Sequence, residues 1–333
     1  AFRAAGILPK ADSEEFFADS RYGEFWVGAR PSLEDLAELT GLRVVPLDQL
    51  VDALAKDAGA GGVQIRVIPE VDDTVTTEVE LARATSERTE AEIAAADEAL
   101  VEAVSELRLV KDEWEIEQMR IAIAATVAGF ERVVRELPRA VAHRRGERVV
   151  ESVFDGNARE EGNAVGYETI AASGEHATTL HWIRNDGAVL EGDVILVDAG
   201  VEAESLYTAD ITRSLPVNGE YSEVQRRIYQ AVLDAADAAF AVAKPGARFR
   251  EVHAAAMEVI AARLEQWGLL PCSARESLDG DGQFHRRWMV HGTSHHLGLD
   301  VHDCAQARRE MYLDGVLEPG MVFTIEPGLY FKS

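Results

Sequence analysis

The sequence predicts a mixed α/β (α+β) chain of two domains, the second assembled from two similar αβ halves. Three observations predict it. At 333 residues the chain exceeds what one core of common size needs, which favours a smaller and a larger domain. Long segments with apolar residues at helical spacing alternate with short β-prone runs. Finally, Gly146-x-Arg148-x-x-Glu151 recurs a hundred residues later as Gly246-x-Arg248-x-x-Glu251, each copy following a long helical segment and opening another.

The first domain is expected over residues 1–105. It mixes the strand-like runs Arg43 to Leu47 and Val63 to Ile68 with acidic, alanine-rich helical stretches, and the segment Glu78 to Glu106 is helix-prone. It offers no glycine-rich phosphate loop and no histidine cluster, so chemistry is expected in residues 106–333. There a long helix is predicted, with Ile116, Met119, Ile123, Val127, Phe130 and Val134 along one stripe and Pro138 as its end. A second helix near Glu147 carries Val150, Val153 and Phe154. Strands are predicted at Gly166 to Ile170, Asp193 to Ala199 and Leu206 to Leu215. Helices over Ser222 to Val242 and Phe249 to Trp267 complete the second pair. A crevice between two such halves is a natural place for a site.

Composition excludes several classes of partner. The balance of 33 basic against 59 acidic residues gives a formal charge of −26, which repels phosphate backbones and anionic lipid heads, so neither nucleic acid nor membrane is an expected partner. No apolar run approaches the ~18 residues that span a bilayer. Two cysteines, Cys272 and Cys304, are too few for a disulfide framework and fit a reducing, cytoplasmic setting.

Most of the acids are read as a solubilising surface, so the informative ones are found by position. Asp198 ends the apolar run Asp193-Val-Ile-Leu-Val-Asp198, Asp210 opens the β-prone run towards Leu215, and Glu326 interrupts Met321 to Phe331. A carboxylate inside apolar β sequence loses several kcal/mol of hydration unless a counter-charge is supplied. Five of the nine histidines fall between His285 and His302, among them His291, His295 and His302. Three such acids with histidines between them form a hard, oxygen-rich donor set that suits manganese, cobalt or zinc. Two ions roughly 3.5–4 Å apart would polarise a carbonyl and activate water. His291 and His295 stand four apart, but Gly292 occupies the place of the glutamate in His-Glu-x-x-His, which removes a helical zinc motif. Neither Ser173, Ser294 nor Cys304 sits in a nucleophile turn.

These residues resemble the metal motifs of the pita-bread metallopeptidases, the family of aminopeptidase P, prolidase and methionine aminopeptidase. The likeness covers Asp198-Ala-Gly200, Asp210-Ile-Thr-Arg213, His291-Gly-x-x-His295-x-Leu-Gly-Leu-Asp300-Val-His302-Asp303 and Leu317-Glu-Pro-Gly-Met-Val-x-Thr-Ile-Glu326-Pro-Gly-Leu-Tyr330. It begins near Arg108-Leu-Val-Lys111-Asp112 and spans roughly two thirds of the chain. The resemblance implies a pita-bread catalytic domain of pseudo-twofold halves behind a creatinase- or prolidase-like α/β domain. It implies two divalent ions, manganese first with cobalt or zinc as alternatives. Asp198 would chelate one ion, Asp210 bridge both, and His295 and Glu326 hold the second. His181, His291 and His302 would surround the scissile amide, with Glu326 as proton acceptor. Details at Thr293-Ser294 and Gly298 to Asp303 lean towards aminopeptidase P, which releases an N-terminal residue preceding proline. Prolidase activity and a non-catalytic peptide- or protein-binding module are the alternatives. The same likeness suggests a homodimer or homotetramer with Trp26 bordering a neighbour's site. In two places the chain departs from the family pattern. The interval from Asp198 to Asp210 is one residue longer than usual, which a bulge would absorb, and the family's fifth ligand, a glutamate, would lie beyond Ser333, so that both ends of the sequence are expected to be incomplete.

Overall fold

The structure is a computed structural model that describes residues 20, 24–28, 31–56, 63–69, 71–84 and 88–332. Its backbone divides into two units, Ala1–Val101 and Glu102–Ser333.

The described part of the first unit is helical: α1 (Glu24–Val27), α2 (Leu33–Thr40), α3 (Leu50–Leu54), α4 (Asp73–Arg83) and most of α5 (Glu90–Leu107). Ser32 and Asp35 close a reciprocal capping box on α2, and Gly41 ends it in the left-handed conformation. The strand-like runs at 43–47 and 63–68 form no named strand among the described residues. Instead, Val67 gives its N–H to the buried Asp97 carboxylate at 3.0 Å, which also receives a two-pronged bond from Arg83 at 3.0 and 2.7 Å. Burial would raise the Asp97 pKa, and the bonds from Arg83 and Val67 with the charges of Arg83 and Arg66 together outweigh it, holding the carboxyl below its usual range. The β-prone composition of 63–68 is thus used for extended backbone pinned by a side chain, a tertiary choice that local sequence does not encode.

The second unit opens with α6 (Glu113–Ala142), started by a capping box between Asp112 and Glu115, and α7 (Gly146–Glu161). Helix α6 corrects two expectations. Pro138 lies inside it rather than ending it. Proline leaves the Val134 carbonyl without its helical donor, but both residues are exposed, so water can reach that group while Leu137 and Ala140 pack inward. The buried stripe keeps Met119 and Phe130 of the expected one but otherwise runs through Ala122, Thr126, Gly129, Val133 and Leu137, leaving Ile123, Val127 and Val134 exposed. The cause is close helix contact, since a Cβ on Gly129 would lie 2.7 Å from the Phe154 ring of α7. A small residue there lets the helices approach, while Phe130 packs edge-on against the same Phe154 ring at 5.7 Å between centroids.

A three-stranded antiparallel sheet, β2 (Ile170–Ser173), β3 (Val194–Ala199) and β5 (Ile211–Pro216), lies against this helix pair in the order β2-β3-β5. The short strands β1 (Ala164–Val165) and β4 (Val201–Glu202) pair beside it. The strand expected at 166–170 is shifted to Ile170–Ser173, and the one expected at 206–215 begins only at Ile211. Ile195, Val197 and Ala199 of β3 join Phe130, Val133 and Phe154 in one core. The second half repeats the plan with α8 (Glu223–Val242) and α9 (Phe249–Gln266), followed by the short α10 (Ala274–Leu278). Its separate core joins Ala235, Phe249, Ile260 and Leu264 to Met289 and Leu317. In place of strands, this half has extended segments held by isolated bridges such as His296 to Phe323. The repeated Gly-x-Arg motif keeps its place but not its phase: Gly146 is the first residue of α7, whereas Gly246 precedes α9 with φ +94. Both arginines nevertheless donate to loop carbonyls, Arg148 to Arg184 and Arg248 to Asp314.

Candidate metal centre

Strand β3 alternates, so with Ile195, Val197 and Ala199 committed to the core, Asp198 must project from the opposite face. Its Cα partner on β5 is Thr212, two residues beyond Asp210, which places all three on that face. The approach of the two aspartates depends on Gly200, where a Cβ would collide with the Ala209 carbonyl. The Tyr167 hydroxyl lies 2.6 Å from Asp198 Oδ1 and 2.8 Å from Asp210 Oδ1, joining them.

His295 and Glu326 arrive from the other half. Thr324 donates its N–H to the His295 carbonyl at 2.9 Å and Glu326 donates to Thr293 at 2.8 Å, so two extended segments run antiparallel and present both side chains together. Glu326 stands in extended backbone, not in the regular strand expected for it. The Thr324 hydroxyl fixes Glu326 Oε1 at 2.7 Å.

Asp210, His295 and Glu326 each offer one ligand atom, all within 4.8 Å of one another. His295 Nδ1 lies 3.1 Å from the His296 carbonyl, which can only accept, so Nδ1 carries a proton and Nε2 faces the acids. Nε2 is 3.1 Å from Asp210 Oδ2 and 3.0 Å from Glu326 Oε1. Burial disfavours the imidazolium, yet the bonds to Asp210 and Glu326 raise the His295 pKa to about 10. Asp198 moves the opposite way from an ordinary carboxylate: burial first, then the Asp210 charge, raise it to about 7 against the bond from Tyr167. Without metal, His295 is thus the one cationic partner that these acids have among the described residues. Three acids are gathered where water is restricted, and a histidine nitrogen oriented by a backbone carbonyl is aimed at two of them, an arrangement that fits a divalent cation.

Of the remaining expected residues, His302 touches this cluster and His291 is bonded to Tyr330, whereas His181 has no contact with it. The His302 ring stands edge-on to His295 at 4.6 Å between centroids. Its loop is anchored by the neighbouring Asp303, which is buried, 2.7 Å from Arg108 and 3.3 Å from the buried Lys111. His291 Nδ1 lies 2.6 Å from the Gly292 carbonyl and Nε2 2.7 Å from the Tyr330 hydroxyl, so a neutral His291 accepts from Tyr330. Burial, then the Glu326 and Asp198 charges, push the Tyr330 pKa up, keeping that hydroxyl a donor. His181 stands exposed in the turn after the 3-10 helix Gly174–Thr178, outside the three-residue cluster. Sequence reasoning did not single out Tyr167 or Thr324. Each lies within or beside a motif that had been noted, but nothing local marks a hydroxyl as the partner of a distant carboxylate.

Residues 117–333 match the model of metallopeptidase family M24, and the chain belongs to that family. Family and donor set together support a divalent metal here. The chain is 47% identical over 329 residues to Xaa-Pro aminopeptidase 1 of Streptomyces coelicolor, covering 98% of this chain and 63% of that protein. It is 34% identical over 227 residues to the Xaa-Pro aminopeptidase of Escherichia coli, covering 68% and 50%. It thus spans less than two thirds of these curated relatives. Among solved structures, a substrate complex of Escherichia coli aminopeptidase P superimposes with a TM-score of 0.78 at 28% identity, over 92% of this chain and 69% of that one. A zinc-substituted product complex of the same enzyme gives 0.77 at 29% identity. The pita-bread fold expected from the sequence is therefore the fold of this chain.

Proposed function

We propose that the protein is an Xaa-Pro aminopeptidase, which hydrolyses the bond between an N-terminal residue and a proline in second position. The observation that supports this most is the convergence of Asp210, His295 and Glu326 from separate parts of the chain. Asp198, Asp210, His295 and Glu326 would hold two divalent ions, manganese before cobalt or zinc. When bound, such ions polarise a carbonyl and make water a better nucleophile at neutral pH.

The chain's own residues do the rest. Glu326, held at one oxygen by Thr324, takes the proton of the attacking water on its other oxygen. His302, beside His295, donates towards the developing oxyanion. His291, acting through the Tyr330 hydroxyl that it orients, and His181 position the peptide and assist the proline nitrogen as it leaves. Residues 1–105 form a leading domain and 106–333 the catalytic one, in a homodimer or homotetramer in which Trp26 borders a neighbour's site. Two cysteines favour a reducing cytoplasm. Among the described residues no helix is long and apolar enough to cross a membrane. Titrating manganese into chelated protein while following release of the first residue from Xaa-Pro-Xaa peptides tests the reading. Release only from the dipeptide would instead mean prolidase, and peptide binding without release a non-catalytic module.

A further inference from the structure

A cavity of about 250 Å³ opens beside His291, walled by His253, Met257, Arg286, Met289 and Gly292. In a chain of formal charge −26, none of the described residues lining it is acidic. The Arg286 guanidinium makes no hydrogen bond or ion pair among the described residues, although acids outnumber bases almost two to one. His253 is built into the wall with a defined tautomer: the Thr293 N–H donates to its Nδ1 at 3.2 Å, so the neutral ring carries its proton on Nε2. The Thr293 hydroxyl lies 2.8 Å from that same nitrogen. Met257 and Met289 supply an adaptable apolar floor. Cationic and donor groups over an apolar floor suit a carboxylate attached to an aliphatic body.

The cavity and the metal centre share a wall, since His291 lines the first and reaches Tyr330 beside the second. Arg286 gives the cavity a charge that repels a peptide's ammonium end and attracts a carboxylate further along the peptide.

We propose that this cavity is a carboxylate-accepting subsite for the part of the peptide downstream of the cleaved bond, with Arg286 taking the anion. The inference rests on the peptidase reading for its occupant. The carboxylate can come from the C-terminus of a short peptide or from an acidic side chain.

Calorimetric titration of manganese-loaded protein with Pro-Leu, Pro-Leu amide and Pro-Glu amide tests it without needing turnover. Pro-Leu should bind about tenfold tighter than its amide, the scale of one charge-assisted hydrogen bond. In Arg286→Gln that ratio should fall towards one, and in Arg286→Lys part of it should return. Pro-Glu amide binding like Pro-Leu assigns the anion to a side chain, and binding like Pro-Leu amide assigns it to the C-terminus. Equal affinity for acid and amide, an unchanged ratio in Arg286→Gln, or no binding of any of the three overturns the subsite. Turnover of Xaa-Pro-Leu and its amide separates the two ideas. Selective binding without release removes the peptidase and keeps the subsite, while release without preference removes the subsite and keeps the peptidase.

Discussion

Two groups of buried acid lie in this unit and have opposite chemistry. Glu147 in α7 is fully buried, yet its carboxylate receives the Ser173 N–H at 2.8 Å, the Gly187 N–H at 2.6 Å and the Trp182 indole at 3.0 Å. His176 adds a contact at 2.7 Å while stacking on Trp182. Every lone-pair direction is used, so the chain itself answers the charge. Asp198, Asp210 and Glu326 are answered only by hydroxyls and one histidine, and their charges act on one another. Burial of an acid is therefore a poor sign of a metal, whereas a shortage of donors around several acids is a good one.

The largest expected effect tests the under-supplied group. Replacing Asp210 or His295 with alanine should abolish manganese-dependent release of the first residue and erase the rise in melting temperature that manganese gives. Melting in chelator should hold in Asp210→Ala, which relieves crowding of the acids, and fall in His295→Ala, which removes the cation between two of them. Turnover persisting in either variant after metal stripping would break the contrast at its root.

Glu147→Ala should do the reverse. It strands four donors in the interior and should cost about 3–5 kcal/mol of stability, the scale for breaking a buried charged network. Denaturant titration in chelator reads this. The manganese-induced shift in melting temperature should survive, because Glu147 supplies nothing to the metal.

The pH dependence of chelated protein sharpens the comparison. The folded pKa of Asp198 is raised from 3.8 to about 7, so its contribution is fully present below about pH 4 and is lost as pH rises through about 7. His295, raised from 6.5 to about 10, contributes below about pH 6.5 and loses that contribution as pH rises through 10. Both signs agree: without metal this site should weaken the fold steadily from pH 4 to 10. Manganese should oppose the loss, more strongly at higher pH as its ligands shed protons. Melting temperatures across that range, with chelator and with manganese, would show curves that diverge; parallel curves would mean the acids are not metal ligands.

How much of this could be read from the sequence follows from the range of each interaction. Helices α8 and α9 were legible because capping and periodicity are local, as Ser222 with Gln225 illustrates. So was β3, whose apolar run is broken only by Asp198. The inward face of α6 was misread because the contact with Phe154 across the helix pair, absent from the local pattern, selects Gly129 over Val127. The acids at 198, 210 and 326 stood out as costly in their surroundings. Nothing nearby told that Tyr167 would lie between two of them, since it meets Asp198 and Asp210 from 31 and 43 residues away. Glu147 was passed over for the same reason: a single acid early in a helix looks like surface until its donors are seen.

Tyr167→Phe is the subtlest test of the contrast. The hydroxyl has one proton but touches two carboxylates, so in chelated protein it donates to one, and the other closes the bridge only if it is itself protonated. The raised Asp198 pKa comes from burial and the Asp210 charge, with the Tyr167 bond holding it down. With metal bound the acids are ionised, and the hydroxyl becomes a single donor steadying one ligand. Its removal should cost about tenfold in manganese affinity, the lower end of what such supporting bonds are worth. It should also move the weakening of chelated protein to higher pH, because the bond that holds the Asp198 pKa down is gone. An affinity loss with no change in that pH profile would place Tyr167 as a packing residue and leave the acids to crowd one another unaided.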